Sequence, residues 1–176
     1  KLIADIGLVG FPNAGKSTFL SKVSRAKPKV ADYPFTTLAP NLGVVYLHDK
    51  EFVIADVPGL IEGASEGQGL GTRFLGHIER TKAIIHLIDI TQDDLAGAYN
   101  KIRNELHKYD PAVSEKPEII VLNKADALGE ELAEDQRKQL EKAIKKKVGV
   151  ISALSGIGID NILKQAYDFI IPAEIE

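Results

Sequence analysis

Residues Gly10-Phe11-Pro12-Asn13-Ala14-Gly15-Lys16-Ser17 spell G-x-x-x-x-G-K-S, and their neighbours decide how the chain folds. The apolar run Ile6-Gly7-Leu8-Val9 leads in as a strand, and Thr18-Phe19-Leu20-Ser21-Lys22-Val23 leads out with helical spacing. In a strand–loop–helix setting, successive backbone N–H groups turn toward the α- and β-phosphates of a nucleotide. Gly10 and Gly15 permit backbone angles and a close approach that side chains would block. Lys16 is placed to reach the β- and γ-phosphates and the Ser17 hydroxyl to ligate Mg²⁺, while the dipole of the following helix adds to the attraction. The stretch implies a site for a nucleoside triphosphate.

Asn123-Lys124-Ala125-Asp126 follows a second apolar run, Ile119-Ile120-Val121-Leu122. In an N-K-x-D loop the Asp carboxylate accepts two hydrogen bonds, from N1–H and the exocyclic amine of guanine. Adenine offers no such donor pair and would leave the carboxylate unpaired, which is costly. Asn123 can bond the base and tie back to the phosphate loop, and the Lys124 stem can lie along the ring face. Four residues say little alone; about a hundred residues after a phosphate loop they point to guanine. Asp56-Val57-Pro58-Gly59 follows Phe52-Val53-Ile54-Ala55, so Asp56 falls at the carboxyl end of a strand, where open α/β sheets bind ligands. Its carboxylate would hold Mg²⁺ through a water, and the Gly59 N–H can bond the γ-phosphate. Ser152-Ala153-Leu154, after Val150-Ile151, matches a further element whose backbone contacts the guanine O6, and it is informative only by its order in the chain.

The order phosphate loop, D-x-x-G, N-K-x-D, S-A resembles translation-factor-class GTPases. The runs Ala31-Asp32-Tyr33-Pro34-Phe35-Thr36-Thr37-Leu38, Pro40-Asn41-Leu42-Gly43-Val44-Val45, Gly59-Leu60-Ile61-Glu62-Gly63-Ala64 and Gly69-Leu70-Gly71-Thr72-Arg73-Phe74-Leu75 resemble the Obg family more closely. The resemblance covers essentially all of residues 1–176 as an Obg-type GTPase domain. The glycine-rich N-terminal domain of that family and its usual C-terminal domain are absent from this stretch. It implies a GTP hydrolase, a P-loop G-domain fold, Mg²⁺ as cofactor, GTP and GDP as ligands, and an association with assembly of the large ribosomal subunit.

With 176 residues the chain suits one domain with a sizeable core. It opens on a strand-like segment without an initiator Met, as a piece of a longer protein would. No run approaches the roughly 18 apolar residues of a membrane span, and no secretory signal precedes the first strand. The absence of Cys excludes disulfides and thiolate metal sites and is consistent with a reducing cytoplasm. A net charge of −3 gives no basic field for nucleic acid, so a ribosome contact would rest on local patches or on further domains. A cytoplasmic monomer is expected.

Strand-like runs fall at 3–9, 42–48, 51–55, 83–90, 118–122 and 148–151, with a hairpin signal at His48-Asp49-Lys50. Helical spacing appears at Leu95, Ala98, Tyr99, Ile102, Leu106 and Tyr109. It recurs at Leu132, Leu140, Ala143 and Ile144, and again from Ile159 through Ile162, Leu163, Ala166 and Phe169 to Ile170. Glu134–Lys138 and Glu141–Lys145 are spaced as solvent-side pairs. Continuous apolar strands between amphipathic helices predict an α/β fold: a mostly parallel six-stranded sheet with one antiparallel edge strand and helices on both faces.

Two stretches lack clean periodicity, 26–41 and 60–71, and they fall where GTPases keep their switches. The second is dense in glycine, which suits an order–disorder segment. Phe35-Thr36-Thr37-Leu38-Ala39 would form the nucleotide-facing part of the first. One of the two threonines would complete the Mg²⁺ shell, and the Obg resemblance favours Thr37. The position just after Gly59, where Ras-type proteins carry the glutamine that orients the attacking water, is Leu60. Catalysis would then rest on electrostatics from Lys16, Mg²⁺ and an added cation, with Thr37 and Gly59 closing on the γ-phosphate. Asn13 has two readings: it resembles the asparagine by which some such GTPases bind K⁺, and it is also an ordinary turn-stabilising residue. His86, inside Ile84-Ile85-His86-Leu87-Ile88, reads as a core histidine. His77 is a catalytic candidate by position alone; Arg73 could act in cis on the γ-phosphate, though a solvent or interface role suits it better. Lys145-Lys146-Lys147 reads as the charged end of a helix, with a ribosomal RNA contact as the less favoured reading. The leading function is hydrolysis of GTP by a nucleotide-dependent switch. A guanine-nucleotide sensor with negligible hydrolysis is the alternative that Leu60 motivates.

Overall fold

The short strand β1, Ile6–Val9, is buried along its whole length and lies at the centre of the sheet. The computed structural model describes residues 4–26, 28–30, 41–56, 81–109 and 111–171, with the backbone alone at Lys29, Val30 and Tyr109. After β1 come a 3₁₀ turn at Pro12–Ala14, helix α1 at Lys16–Val23, β2 at Lys29–Val30, β3 at Asn41–Leu47 and β4 at Lys50–Asp56. Then follow β5 (Ala83–Asp89), α2 (Leu95–Tyr109), the one-turn α3 (Pro111–Ser114) and β6 (Glu118–Asn123). A second 3₁₀ turn (Ala125–Ala127), α4 (Glu130–Ile144), β7 (Val148–Val150) and α5 (Ile159–Ile170) complete the described chain.

The strands form one sheet in the order β2-β3-β4-β1-β5-β6-β7. β4, β1, β5, β6 and β7 are parallel, and β3 runs antiparallel to β4 on one side and to β2 on the other. The six strands read from the sequence are present, each within a few residues of its expected bounds. The two-residue β2 is an addition that continues the sheet past β3. The β3–β4 hairpin turns through His48-Asp49, with His48 in the left-handed region at φ 59°.

Helices cover both faces because the central strands are apolar on both sides. In β6, Ile119 and Val121 pack with Phe19, Leu20 and Val23 of α1 and with Ile162, Leu163 and Ala166 of α5. The alternate residues Ile120 and Leu122 pack with Leu95, Ala98 and Tyr99 of α2 and with Ala133 and Leu140 of α4. Phe19 and Phe52 are fully buried in the first of these cores. Truncating either to alanine is the kind of change that costs about 3–5 kcal/mol.

On α4 the solvent-side pairs differ from the expected spacing. Arg137 takes both carboxylates, reaching Glu134 at i−3 and Glu141 at i+4, and Glu141 also accepts a hydrogen bond from the Val148 N–H. A guanidinium fork can hold two carboxylates at once, which a lysine cannot match. Lys145 instead ends the helix in a left-handed conformation.

Candidate nucleotide site

Because the central strands are parallel, their carboxyl ends fall on one edge of the sheet, and the loops that leave them meet there. β1 delivers residues 10–15, β4 ends at Asp56, β5 at Asp89, β6 at Asn123, and Ser152 follows β7. The loop after β1 needs its two glycines. A Cβ on Gly10 would lie 2.5 Å from the Leu87 carbonyl oxygen, and Gly15 caps α1 at φ 86° with an added Cβ 2.5 Å from Asn123 Nδ2. Between them Pro12–Ala14 form the 3₁₀ turn, closed by Ala14 N–H donating to the Phe11 carbonyl at 3.0 Å. Pro12 and Asn13 are exposed, while Phe11 packs on the second core.

Lys16 begins α1 and is only 5% exposed. A buried cation at the positive end of a helix dipole is an unfavourable placement unless negative charge is drawn to it. Asp56, equally buried, supplies one such charge: its Oδ1 lies 2.9 Å from Lys16 Nζ, yet receives no aligned hydrogen bond from the described residues. Ser17 follows on the same turn with its side chain exposed. A hydroxyl and a carboxylate are hard oxygen donors of the kind Mg²⁺ prefers, and the dipole, Lys16 and the turned loop suit phosphate. The residues present therefore fit both a phosphate chain and its metal.

Asn123 joins the parts. It is 2% exposed; its Nδ2 donates to the Ala14 carbonyl at 2.9 Å, and its Oδ1 accepts from the Ala153 N–H at 2.9 Å. One side chain thus spans the phosphate loop and the loop after β7. Ala125 N–H donates to the Ile151 carbonyl, and Ser152 Oγ donates to Asp126 Oδ1 at 2.7 Å. The second of these bonds fixes one carboxylate oxygen of Asp126 at the rim of a cavity of about 240 Å³. Gly15, Thr18, Lys124 and Leu154 are among its walls, and Leu154 is 73% exposed at its mouth. A neighbouring space of about 440 Å³ shares Thr18, Ala153 and Leu154 and continues toward Ser17 and Lys22.

Asp89 contacts the candidate site through Lys124 and was not singled out by the motifs. It is 6% exposed, accepts from both the backbone and the hydroxyl of Thr91, and lies 3.2 Å from Lys124 Nζ. Burial pushes its carboxyl up, but the Thr91 bonds and the Lys124 ammonium outweigh burial and hold it below the usual value. The signal was present: Asp89 closes an apolar strand as Asp56 and Asn123 do, on the same edge.

Phe35, Thr36, Thr37, Leu38, Ala39, Val57, Pro58 and Gly59 lie outside the described residues, as do Leu60, Arg73 and His77. His86 is fully buried, stacks on Tyr99 with ring centroids 5.2 Å apart, and sets Nδ1 3.2 Å from Glu118 Oε2. Lys146 donates to the Tyr99 hydroxyl at 3.1 Å. Among the described residues no helix is long and apolar enough to cross a membrane.

A phosphate loop bound through Asn123 to a base pocket, on a sheet of this order, defines a P-loop GTPase domain. The family described as "50S ribosome-binding GTPase" matches residues 5–124. Proteins called GTPase Obg are 57% identical over 166 residues in Rickettsia bellii and 56% over 170 in Rickettsia massiliae. The aligned parts are 94% and 97% of this chain but 51% and 52% of those proteins. The chain belongs to this GTPase family, among the Obg proteins, and spans about half the length of the curated relatives it matches. The fold is shared more widely. An Aquifex aeolicus Era variant bound to GDP·AlF₄⁻ superposes with a TM-score of 0.74 at 24% identity, over 96% of this chain and 57% of that one. The G domain of the Thermotoga maritima FeoB iron transporter gives 0.68 at 19%, over 93% and 96%.

Proposed function

We propose that this chain is the GTPase domain of a longer Obg protein, a cytoplasmic switch that binds GTP and GDP and hydrolyses GTP to GDP and phosphate. The work it serves is assembly of the large ribosomal subunit. The observation that carries the reading is the pair of hydrogen bonds by which Asn123 donates to the Ala14 carbonyl and accepts from the Ala153 N–H, tying the phosphate loop to the loop after β7.

Within the site, Asp126 reads guanine while Ser152 orients its carboxylate, and Asn123, Lys124, Ala125, Ala153 and Leu154 frame the base. The backbone of Gly10, Phe11, Pro12, Asn13, Ala14 and Gly15 cradles the phosphates. Lys16 neutralises charge on the β- and γ-phosphates, more so as it develops in the transition state. Ser17 and Thr37, with Asp56 through a water, would hold Mg²⁺, which supplies charge neutralisation and alignment of the phosphate oxygens. Phe35 through Ala39, with Val57, Pro58 and Gly59, would close on the γ-phosphate. Leu60 has no group to orient water, so unaided turnover is slow, near ~10⁻⁴ to 10⁻² s⁻¹. That same leucine favours the second reading, a guanine-nucleotide sensor with negligible hydrolysis.

Displacement of a fluorescent GDP analogue by GDP and GTP, but not by ADP or ATP, tests the base site. Single-turnover hydrolysis in K⁺ and in Na⁺ at constant ionic strength separates enzyme from sensor. It also tests Asn13, whose replacement by alanine removes any K⁺ advantage if Asn13 helps hold that ion. No release of phosphate in either salt would leave only the sensor.

A further inference from the structure

We infer that Asp89 is a positioning residue for guanine recognition: its carboxylate holds the Lys124 side chain in place as one wall of the base pocket. The inference rests on the nucleotide-site reading above and adds to it a residue that no nucleotide motif contains.

The two oxygens of the carboxylate have separate duties. Oδ1 receives the Thr91 N–H at 2.9 Å and the Thr91 hydroxyl at 2.6 Å, which sets the plane of the group. Oδ2 faces Lys124 Nζ at 3.2 Å. Asp89 and Asn123 are partners in the β5–β6 ladder, and the Ile90 N–H donates to the Asn123 carbonyl at 3.0 Å, so the two strand ends cannot drift apart. Lys124 leaves the loop from a left-handed backbone at φ 71°. Its stem then passes Gly15, where an added Cβ would stand 3.8 Å from Lys124 Cε. The stem therefore lies against the end of the phosphate loop, and Lys124, Gly15 and Asp126 together line the base cavity. Asp89 itself borders a further space of about 590 Å³, together with Phe11 and Asn13. The ion pair thus links a residue lining that space to one lining the base cavity.

A lysine stem is flexible, and it is 40% exposed here. Left unanchored, it would have to be immobilised when the base arrives. For a long side chain that cost corresponds to about two- to twelvefold in affinity. Asp89 meets it in advance. Charge alone predicts the opposite sign: removing a carboxylate near a polyanionic ligand should tighten binding.

Asp89→Asn keeps the shape and the acceptor for Thr91 and replaces the oxygen facing Lys124 by an amide. Dissociation constants and off-rates for a fluorescent GDP analogue are measured in the parent, Asp89→Asn, Lys124→Ala and the double variant. Expected is a loss of about two- to twelvefold in Asp89→Asn, mostly through faster dissociation, and no further loss when Lys124 is already alanine. Thr91→Val, which removes the hydroxyl bond to the carboxylate but keeps the N–H bond, should give a smaller loss that also vanishes in the Lys124→Ala background; it serves if Asp89→Asn does not fold. Unchanged or tighter binding in Asp89→Asn, or the same fold-loss in both backgrounds, overturns the inference. A Lys124→Ala variant that binds GDP like the parent also overturns the inference, whereas a parent that binds ADP as well as GDP overturns the base-site reading itself.

Discussion

Replacing Asn123 by alanine removes the Ala14 and Ala153 bonds together. The Ala14 carbonyl and the Ala153 N–H are then left without the partners that held them at 2.9 Å in a buried setting. An orphaned buried polar group costs about 1–3 kcal/mol, giving roughly 2–6 kcal/mol for the pair. The base cavity of about 240 Å³ borders Asn123, and water entering from it can satisfy one of the two groups. With one group hydrated, the orphan left behind costs about 1–3 kcal/mol. For a chain of this size each kcal/mol moves the thermal midpoint by about 2–4 °C, so the loss should be roughly 2–12 °C. The assay is thermal or urea unfolding without nucleotide, so that lost binding does not masquerade as lost stability. A loss under about 1 kcal/mol would refute the reasoning, because the loops would then be held together without Asn123.

Asp126→Asn should move preference from guanosine toward xanthosine nucleotides, since the amide can pair with the xanthine 2-oxo group; equal loss of both in a folded variant would remove Asp126 as base reader. Lys16→Ala should weaken GTP binding by roughly 2–4 kcal/mol through loss of a charge-assisted contact, read by competition titration. GTP affinity equal to the parent's would sink its role. Glu118 titrates with the fold: burial pushes its carboxyl up, but the His86 hydrogen bond and charge, then Arg103 and the Tyr99 hydroxyl, hold it below its ordinary value of 4.5. A depressed folded pKa gives stability that is present above about pH 4.5 and lost as pH falls through the lower folded value. Urea unfolding of Glu118→Gln against the parent should show a gap at pH 7 that narrows toward pH 3, and a gap independent of pH would contradict this.

Periodicity placed α2 and α5 well because burial repeats along them, but on α4 the expected Leu132 is 47% exposed and Ala133 is buried in its place. α2 and α5 begin and end where their apolar spacing does, at Leu95–Tyr109 and Ile159–Ile170. The motifs placed Asn123 and Asp126, since chemistry confines those residue types to one order. Short elements escaped. β2 spans two residues and owes its form to pairing with β3, which no local pattern announces. The turns at Pro12–Ala14 and Ala125–Ala127 lie inside the motifs and read there as loops. Asp89 was passed over because a carboxylate after an apolar strand has many uses, and only its distance to Lys124 distinguishes this one. Arg137 was overlooked for a similar reason: spacing names possible partners on a helix face, whereas reach and fork geometry choose among them.

The hairpin of β3 and β4 works as a gauge for the site at its far end. β4 is locked to β1, Leu8 opposite Asp56, so its position is not free to change. β3 is measured against β4 from the turn at Leu47 and Lys50 back to Asn41 opposite Asp56. A single residue inserted at the exposed His48-Asp49 tip could not move Asp56; if the ladder took it up as a register shift instead of a longer turn, β3 would slide by about 3.4 Å and turn Val45 and Leu47 outward. Asn41 would then no longer stand opposite Asp56. A solvent-facing tip, which elsewhere is where sequences grow and shrink freely, is here coupled through the ladder to the strand end at Asp56.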